Sequence, residues 1–183
     1  MSGELASVEE FHQAVGKAAA DAALIDILLV STLRVLVGCP TSAALVIFSS
    51  IDSFQTKKKI LIGLAYAREI DVRDSVARLT EAAEIVYTKR NDIAHSAPVI
   101  RDGDSTLEAL TPKRFKQPFK RITKASLEVI RQDIWAASHN TRVAYRELCK
   151  RLGEPEDAFF PKRVKDDLAT DGRVGSEGAP DSD

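Results

Sequence analysis

The sequence predicts an all-α protein, an antiparallel bundle of four to five helices with a short hairpin-like excursion before the last long helix. Glycine and proline are scarce, at 9 and 7 of 183 residues, and helix-favouring residues are plentiful. Apolar residues recur at steps of three and four, the period of an amphipathic helix. We expect a helical domain over residues 1–153 and an acidic, largely disordered tail over 154–183.

The first predicted helix begins with a capping-box pattern, in which Ser7 is followed three residues later by Glu10. It extends to about Val37 and ends at Gly38. Its second half is apolar nearly all round, which predicts a central position in the bundle.

Residues 18–37 form the most apolar stretch of the chain, but Asp21, Asp26 and Arg34 interrupt it. Charges near the centre of a bilayer are costly, so we interpret the stretch as a buried core helix with no membrane partner. Two cysteines without a disulfide framework and an acidic, polar start favour a cytoplasmic location.

Three further helices are expected before the excursion. Residues 41–49 form a short apolar helix, and residues 57–70 form the next, with one side made of Ile60, Leu61, Leu64 and Ala67. Asp71 can cap a fourth helix. That helix carries an apolar stripe, made of Val72, Val76, Leu79, Ala83 and Val86.

The next position on this stripe is Arg90. A charge there must extend to solvent, pair with a carboxylate or face an interface. Beyond it, Asp102-Gly103 between short apolar runs is a weak hairpin signal. The last helix is expected from about Lys120 to Leu152, with an inner side made of Leu127, Ile130, Ile134, Ala137, Ala144, Leu148 and Leu152.

Composition excludes several classes of protein. Two cysteines exclude a disulfide scaffold and a cysteine-rich zinc module, and three scattered histidines argue against a metal enzyme. The net charge of -1 excludes a histone-like polycation. The charge is uneven, however, because the tail from residue 154 holds nine acidic and four basic residues.

The most informative segment is 89–96, in which Arg90-Asn91 is followed after three residues by His95. This segment resembles the Arg-x4-6-His signature of the HEPN superfamily (higher eukaryotes and prokaryotes nucleotide-binding), whose usual apolar pair before the histidine is matched by Ile93 and Ala94. The resemblance covers roughly residues 21–152 and includes the order of a late bundle helix, an excursion and a last long helix.

The resemblance implies a metal-independent endoribonuclease, often a toxin or antiviral effector, that needs no cofactor and acts as a homodimer. Other members have the fold without demonstrated catalysis. The expected partners are RNA, a second copy of the chain and an antitoxin or nucleotidyltransferase. The resemblance assigns the catalytic site to Arg90, Asn91 and His95.

These residue types suit cleavage of RNA through its own 2′-hydroxyl. Histidine transfers protons near neutral pH, and the arginine fork matches a charged phosphate. Asn91 can orient the histidine or the phosphate. On a straight helix, Asn91 and His95 lie about 40° apart and Arg90 and His95 about 140° apart, so Arg90 must reach round. The competing interpretation is structural: His95 interacts with the helix dipole, and Arg90 and Asn91 fix the loop that follows.

A basic segment provides a second argument for RNA. Six basic residues fall within twelve positions that contain no acidic residue, and Phe115 and Phe119 lie among them. The basic residues are Lys113, Arg114, Lys116, Lys120, Arg121 and Lys124. Positive charge at a helix N-terminus opposes the dipole, which favours an anionic partner or the acidic tail over a solvated helix start.

Three functions stay open: a HEPN-type ribonuclease, a non-catalytic HEPN-like module that binds a partner protein or nucleotide, and a plain oligomerisation domain. Cleavage needs a second proton-transfer group. It is either His95 of a second chain or, in a monomer, His139 or Lys89. Tyr87 is expected to pack in the core, with base stacking as the alternative.

Overall fold

The computed structural model describes residues 6–94, 108–109 and 120–155. This part of the chain is an all-α bundle, as predicted. Its five helices are α1 (Val8–Val37), α2 (Thr41–Ser49), α3 (Phe54–Ala67), α4 (Arg73–Ala94) and α5 (Lys124–Leu152). A two-residue ladder precedes α5, formed by antiparallel strands β1 (Glu108–Ala109) and β2 (Lys120–Arg121).

Local signals set the ends of the two longest helices. The Ser7 hydroxyl accepts a hydrogen bond from the Glu10 backbone N–H at 3.1 Å, and the Glu10 carboxylate accepts one from the Ser7 N–H at 2.7 Å. The predicted capping box is thus confirmed. Gly38 and Gly153 end α1 and α5 with φ of 74° and 69°, a left-handed conformation that glycine adopts without a Cβ penalty.

The helix α4 lies against three others and runs antiparallel to α5. Two salt bridges between these helices show the direction: Lys89 pairs with Asp133, and Arg78 pairs with Glu147. The stripe predicted on α4 is fully buried, at 0% exposure for Val72, Val76, Leu79, Ala83 and Val86. Burial of such side chains supplies the main stabilisation of a bundle.

The helix α1 is also central, and it runs in the same direction as α5. Salt bridges join the two helices at both ends: Glu10 pairs with Lys124 at 3.5 Å, and Arg34 pairs with Glu154 just past α5 at 3.3 Å. The apolar second half of α1 is buried as predicted, most completely at Ile25, Leu28, Leu29 and Leu33.

The helix α3 differs from the prediction in its bounds and in its buried face. It covers Phe54–Ala67 rather than residues 57–70, and it buries Leu61 and Ala65 while Ile60 is exposed. Leu64 of the predicted face is partly buried against the core. Two lysines of this helix pair with carboxylates of the neighbouring helices; the pairs are Lys57 with Asp26 at 3.8 Å and Lys58 with Glu84 at 2.7 Å.

The helix α5 begins four residues later than predicted. Lys120 and Arg121 lie in β2, and Thr123 is the N-cap, whose hydroxyl accepts a hydrogen bond from the Ser126 N–H. The predicted turn at Asp102-Gly103 lies outside the described residues, and so does most of the predicted acidic tail.

No single helix in the described ranges combines the length and the apolar content needed to cross a membrane. α1 and α2 meet that criterion only when taken together, and they are bent by 119° at the break between them.

Candidate functional site

The last turns of α4 hold the first part of the predicted motif. Arg90 is half-buried and Asn91 is exposed. The Arg90 guanidinium donates a hydrogen bond from Nη1 to the Asn91 Oδ1 at 3.0 Å. The structure thus brings Arg90 and Asn91 together. His95 lies outside the described residues, so its place beside them stays a prediction.

Arg90 occupies the end of the buried stripe, one turn after Val86. No carboxylate of residues 6–94 or 122–155 forms a salt bridge with it; its partner is the neutral amide of Asn91. Taking a guanidinium partly out of water without a counter-charge is costly. The described part of the chain therefore leaves this cation able to take an anionic ligand.

Tyr87 anchors this end of α4 to α1. Its hydroxyl donates a hydrogen bond to the Asp26 carboxylate, and its ring packs 4.7 Å from the ring of Phe54, measured between centroids. Burial, the hydrogen bond to Asp26 and the charge of Asp26 raise the pKa of Tyr87 far above its usual value, and nearby Arg90 opposes this. Tyr87 therefore stays protonated near neutral pH and acts as a donor.

Asp26 also forms a salt bridge with Lys57, whose Nζ lies 3.8 Å from the same carboxylate oxygen. The Lys57 ammonium sits 4.3 Å from the centre of the Phe48 ring, a cation–π contact. Helices α1, α3 and α4 thus meet in a small polar network next to Arg90. The sequence signalled Asp26 as a charge within an apolar helix, but Lys57 was hidden in a run of three lysines.

Neither monomeric candidate for a second proton-transfer group contacts Arg90 or Asn91. The Lys89 ammonium is held by Asp133 of α5 at 2.6 Å. His139 lies exposed on α5, where it stacks on Trp135 with ring centroids 5.8 Å apart. The described contacts therefore give this end of α4 no second histidine from the same chain.

The predicted basic segment is only partly described. Lys113, Arg114 and Lys116 lie outside the described residues, and Lys120 and Arg121 lie in β2 rather than at a helix start. Of the set, the first turn of α5 therefore carries Lys124, which is exposed and pairs with Glu10. The dipole argument for an anionic partner is weakened accordingly.

A small groove with room for about one water molecule lies between α1 and α5 and reaches the end of α4. Its lining includes Lys17, Asp21, Ile93 and Arg131. In the described ranges, no group of three histidine, cysteine or acidic side chains is placed to hold a metal ion.

Comparison of the chain with protein-family models, with curated proteins and with solved structures found no match.

Proposed function

We propose that this protein is a metal-independent endoribonuclease of HEPN type, a toxin or antiviral effector that cleaves RNA through the 2′-hydroxyl. Arg90 is the observation that carries the proposal. It is a half-buried cation at the end of an apolar stripe, bonded to Asn91 and without a carboxylate partner among the described residues. An arginine in this state is suited to bind a scissile phosphate.

The proposed reaction is an internal transesterification. A base removes the 2′-hydroxyl proton, the oxygen attacks phosphorus, and the bond to the 5′ oxygen breaks as an acid protonates that oxygen. The products are a 2′,3′-cyclic phosphate and a 5′-hydroxyl. His95 is one proton-transfer group, Arg90 stabilises the charged phosphorane, and Asn91 orients the phosphate or the histidine.

The active unit is proposed to be a homodimer. Two proton transfers are required, and each chain offers one histidine in the motif. A twofold axis beside the end of α4 would bring two copies of His95 and Arg90 together. Lys89 is engaged by Asp133 and His139 by Trp135, which favours the composite site over the monomeric one.

The chemical test is RNA cleavage in the presence of a chelator. We expect activity with 2′,3′-cyclic phosphate ends, and a loss of about 10²–10⁴-fold in His95→Ala, as for removal of a general acid or base. His12→Ala is the matched control, because His12 is exposed near the start of α1. Cleavage that requires Mg²⁺, or an active His95→Ala, contradicts the mechanism. RNA binding without cleavage would favour the non-catalytic module.

The dimer is tested by mixing wild-type chains with His95→Ala chains. We expect activity to fall roughly with the square of the wild-type fraction, because a mixed dimer keeps only one of the two His95 side chains that the reaction requires, whereas independent monomeric sites would lose activity in proportion to that fraction. Sedimentation supplies the prior check. A protein that is monomeric at micromolar concentration and still cleaves RNA would exclude the composite site.

A further inference from the structure

The outer face of α5 carries an exposed tryptophan. Trp135 is 65% exposed, and its indole stacks on the His139 imidazole with the ring planes 14° apart. Tryptophan usually buries most of its surface in the core of a protein. Tryptophans that stay exposed are common at binding surfaces. The bundle core does not use Trp135, because α5 packs inward through Leu127, Ile134, Ala137, Ala144 and Leu148.

Basic residues line this face on both sides of Trp135. At about 100° per residue, all of them fall within about 60° of Trp135 around the helix. These four basic residues are exposed; they are Arg131, Arg142, Arg146 and Lys150. Together with Trp135 and His139 they form what we term the basic stripe.

The acidic residues of α5 mostly point elsewhere. Asp133 and Glu147 face α4, where they pair with Lys89 and Arg78. Glu128 is the acidic residue beside the stripe, and it pairs with Arg131 at 2.8 Å. Arg142 and Lys150 form no salt bridge or side-chain hydrogen bond with another described residue. Counting the described residues alone, Arg142 and Lys150 therefore give the stripe a net positive charge along the helix from Arg131 to Lys150, a length of about 28 Å.

This combination matches the chemistry of single-stranded RNA. An aromatic platform stacks on an unpaired base, and flanking arginines bind phosphates. Duplex RNA offers no unstacked base to such a platform. A lipid surface requires several inserted apolar side chains, whereas the stripe contains Trp135 as its one large apolar residue.

The stripe also leads towards the proposed site. Arg131, at its N-terminal end, lines the groove between α1 and α5, together with Lys17 and Ile93. Ile93 lies two residues before His95. A strand bound along α5 would therefore run towards the end of α4.

We propose that the basic stripe of α5 docks single-stranded RNA and guides it to the Arg90 end of α4. The choice of RNA over other polyanions rests on the proposed ribonuclease function, whereas the docking surface itself is defined by Trp135 and the cations around it.

Trp135 is the one tryptophan of the chain, so its fluorescence is a built-in probe of the stripe. The ligand is a 2′-O-methylated oligoadenylate, which lacks the attacking hydroxyl and so separates binding from cleavage. We expect it to quench Trp135. Trp135→Ala, followed by anisotropy of labelled RNA, should weaken binding about 5- to 150-fold, the range for loss of one stacked base.

Charge reversal tests the cations of the stripe. The double variant Arg142→Glu with Lys150→Glu should reduce the slope of log K against log salt by about 1.4, because each lost phosphate contact contributes about 0.7 on a single strand. Tyr66→Ala and Lys59→Glu are the matched controls; both residues are exposed on α3, and both variants should bind RNA normally.

Binding that is unchanged in Trp135→Ala and in the double variant overturns the proposal. So does stronger binding of duplex RNA, or of phosphatidylserine vesicles, than of the single strand. The two proposals fail separately. RNA that binds the stripe without being cleaved refutes the ribonuclease alone, whereas His95-dependent cleavage by a protein insensitive to the stripe variants refutes the docking surface alone.

Discussion

Two arginines interrupt apolar helix faces of this bundle, Arg34 near the end of α1 and Arg90 near the end of α4. Arg34 pairs with the Glu154 carboxylate at 3.3 Å, and its side chain is 17% exposed. Arg90 is bonded to the neutral amide of Asn91. The first arginine is neutralised within the fold, whereas the described part of the chain leaves the charge of the second without a partner of opposite sign.

Each arginine lies near a tyrosine, and the contacts of the tyrosine near Arg90 explain part of the difference. Burial raises the pKa of Tyr145, near Arg34, to about 12, with a further contribution from Cys149. Tyr87, near Arg90, is instead hydrogen-bonded to Asp26, which Lys57 also contacts. The carboxylate next to this end of α4 is thus engaged by Tyr87 and Lys57, and Arg90 is left with Asn91. Among the described residues, Arg34 thus contributes an ion pair to the fold, whereas Arg90 does not.

The largest expected effect is on RNA cleavage. Arg90→Ala should lower the single-turnover cleavage rate about 10²–10³-fold, because it removes a charge that stabilises the phosphorane. Arg34→Ala should leave the rate unchanged wherever circular dichroism shows the variant folded. Equal losses in the two variants would remove the functional distinction between these arginines.

The next effect is on stability, and it has the opposite pattern. Arg34→Ala should lower the free energy of unfolding by about 1–2 kcal/mol, since it removes a partly solvated ion pair and a packed aliphatic stem. Arg90→Ala should change it by less than about 0.5 kcal/mol. Urea denaturation measures both, and Arg34→Met separates the stem from the charge. A larger loss for Arg90→Ala would assign that residue to the fold.

Alkaline pH tests the contact between Tyr87 and Asp26. The pKa of Tyr87 is higher in the folded than in the unfolded chain, so its stabilisation is present below about pH 10 and is lost as pH rises above that value. Tyr87→Phe should therefore flatten the alkaline fall in the free energy of unfolding. Tyr66→Phe is the control, because Tyr66 is 67% exposed. Identical pH profiles for wild type and Tyr87→Phe would contradict the assignment.

The smallest effect concerns Lys89. Lys89→Met should leave the cleavage rate unchanged and lower the free energy of unfolding by about 0.2–1 kcal/mol, the range for a solvent-exposed salt bridge, because Asp133 loses its partner. Single-turnover kinetics and urea denaturation provide the measurements. A large loss of cleavage would identify Lys89 as the second proton-transfer group and would favour the monomeric site.

The fold was more predictable than the site. The capping box at Ser7, the glycine ends of α1 and α5 and the stripe on α4 were all read correctly, because each depends on residues close together in the chain. The inner face of α3 was predicted only in part: Leu61 is buried and Leu64 packs against the core, whereas Ile60 is exposed. Lys57 and Lys58 of this helix pair with carboxylates of two other helices. A periodic pattern does not reveal which distant group a lysine will meet.

The sequence by itself determined the order of the helices and which side of α4 is buried, although α3 and α5 begin at other residues than it predicted. It also marked Arg90 and Asn91 as unusual, and it placed His95 in the same motif. Only the tertiary structure decided that Asp26 bonds Tyr87 and Lys57 rather than Arg90, and that Trp135 lies outside the core among basic residues. The physical reason is range: caps and periodicity act over a few residues, whereas the pairing of charges and the burial of a large ring depend on which helices pack together.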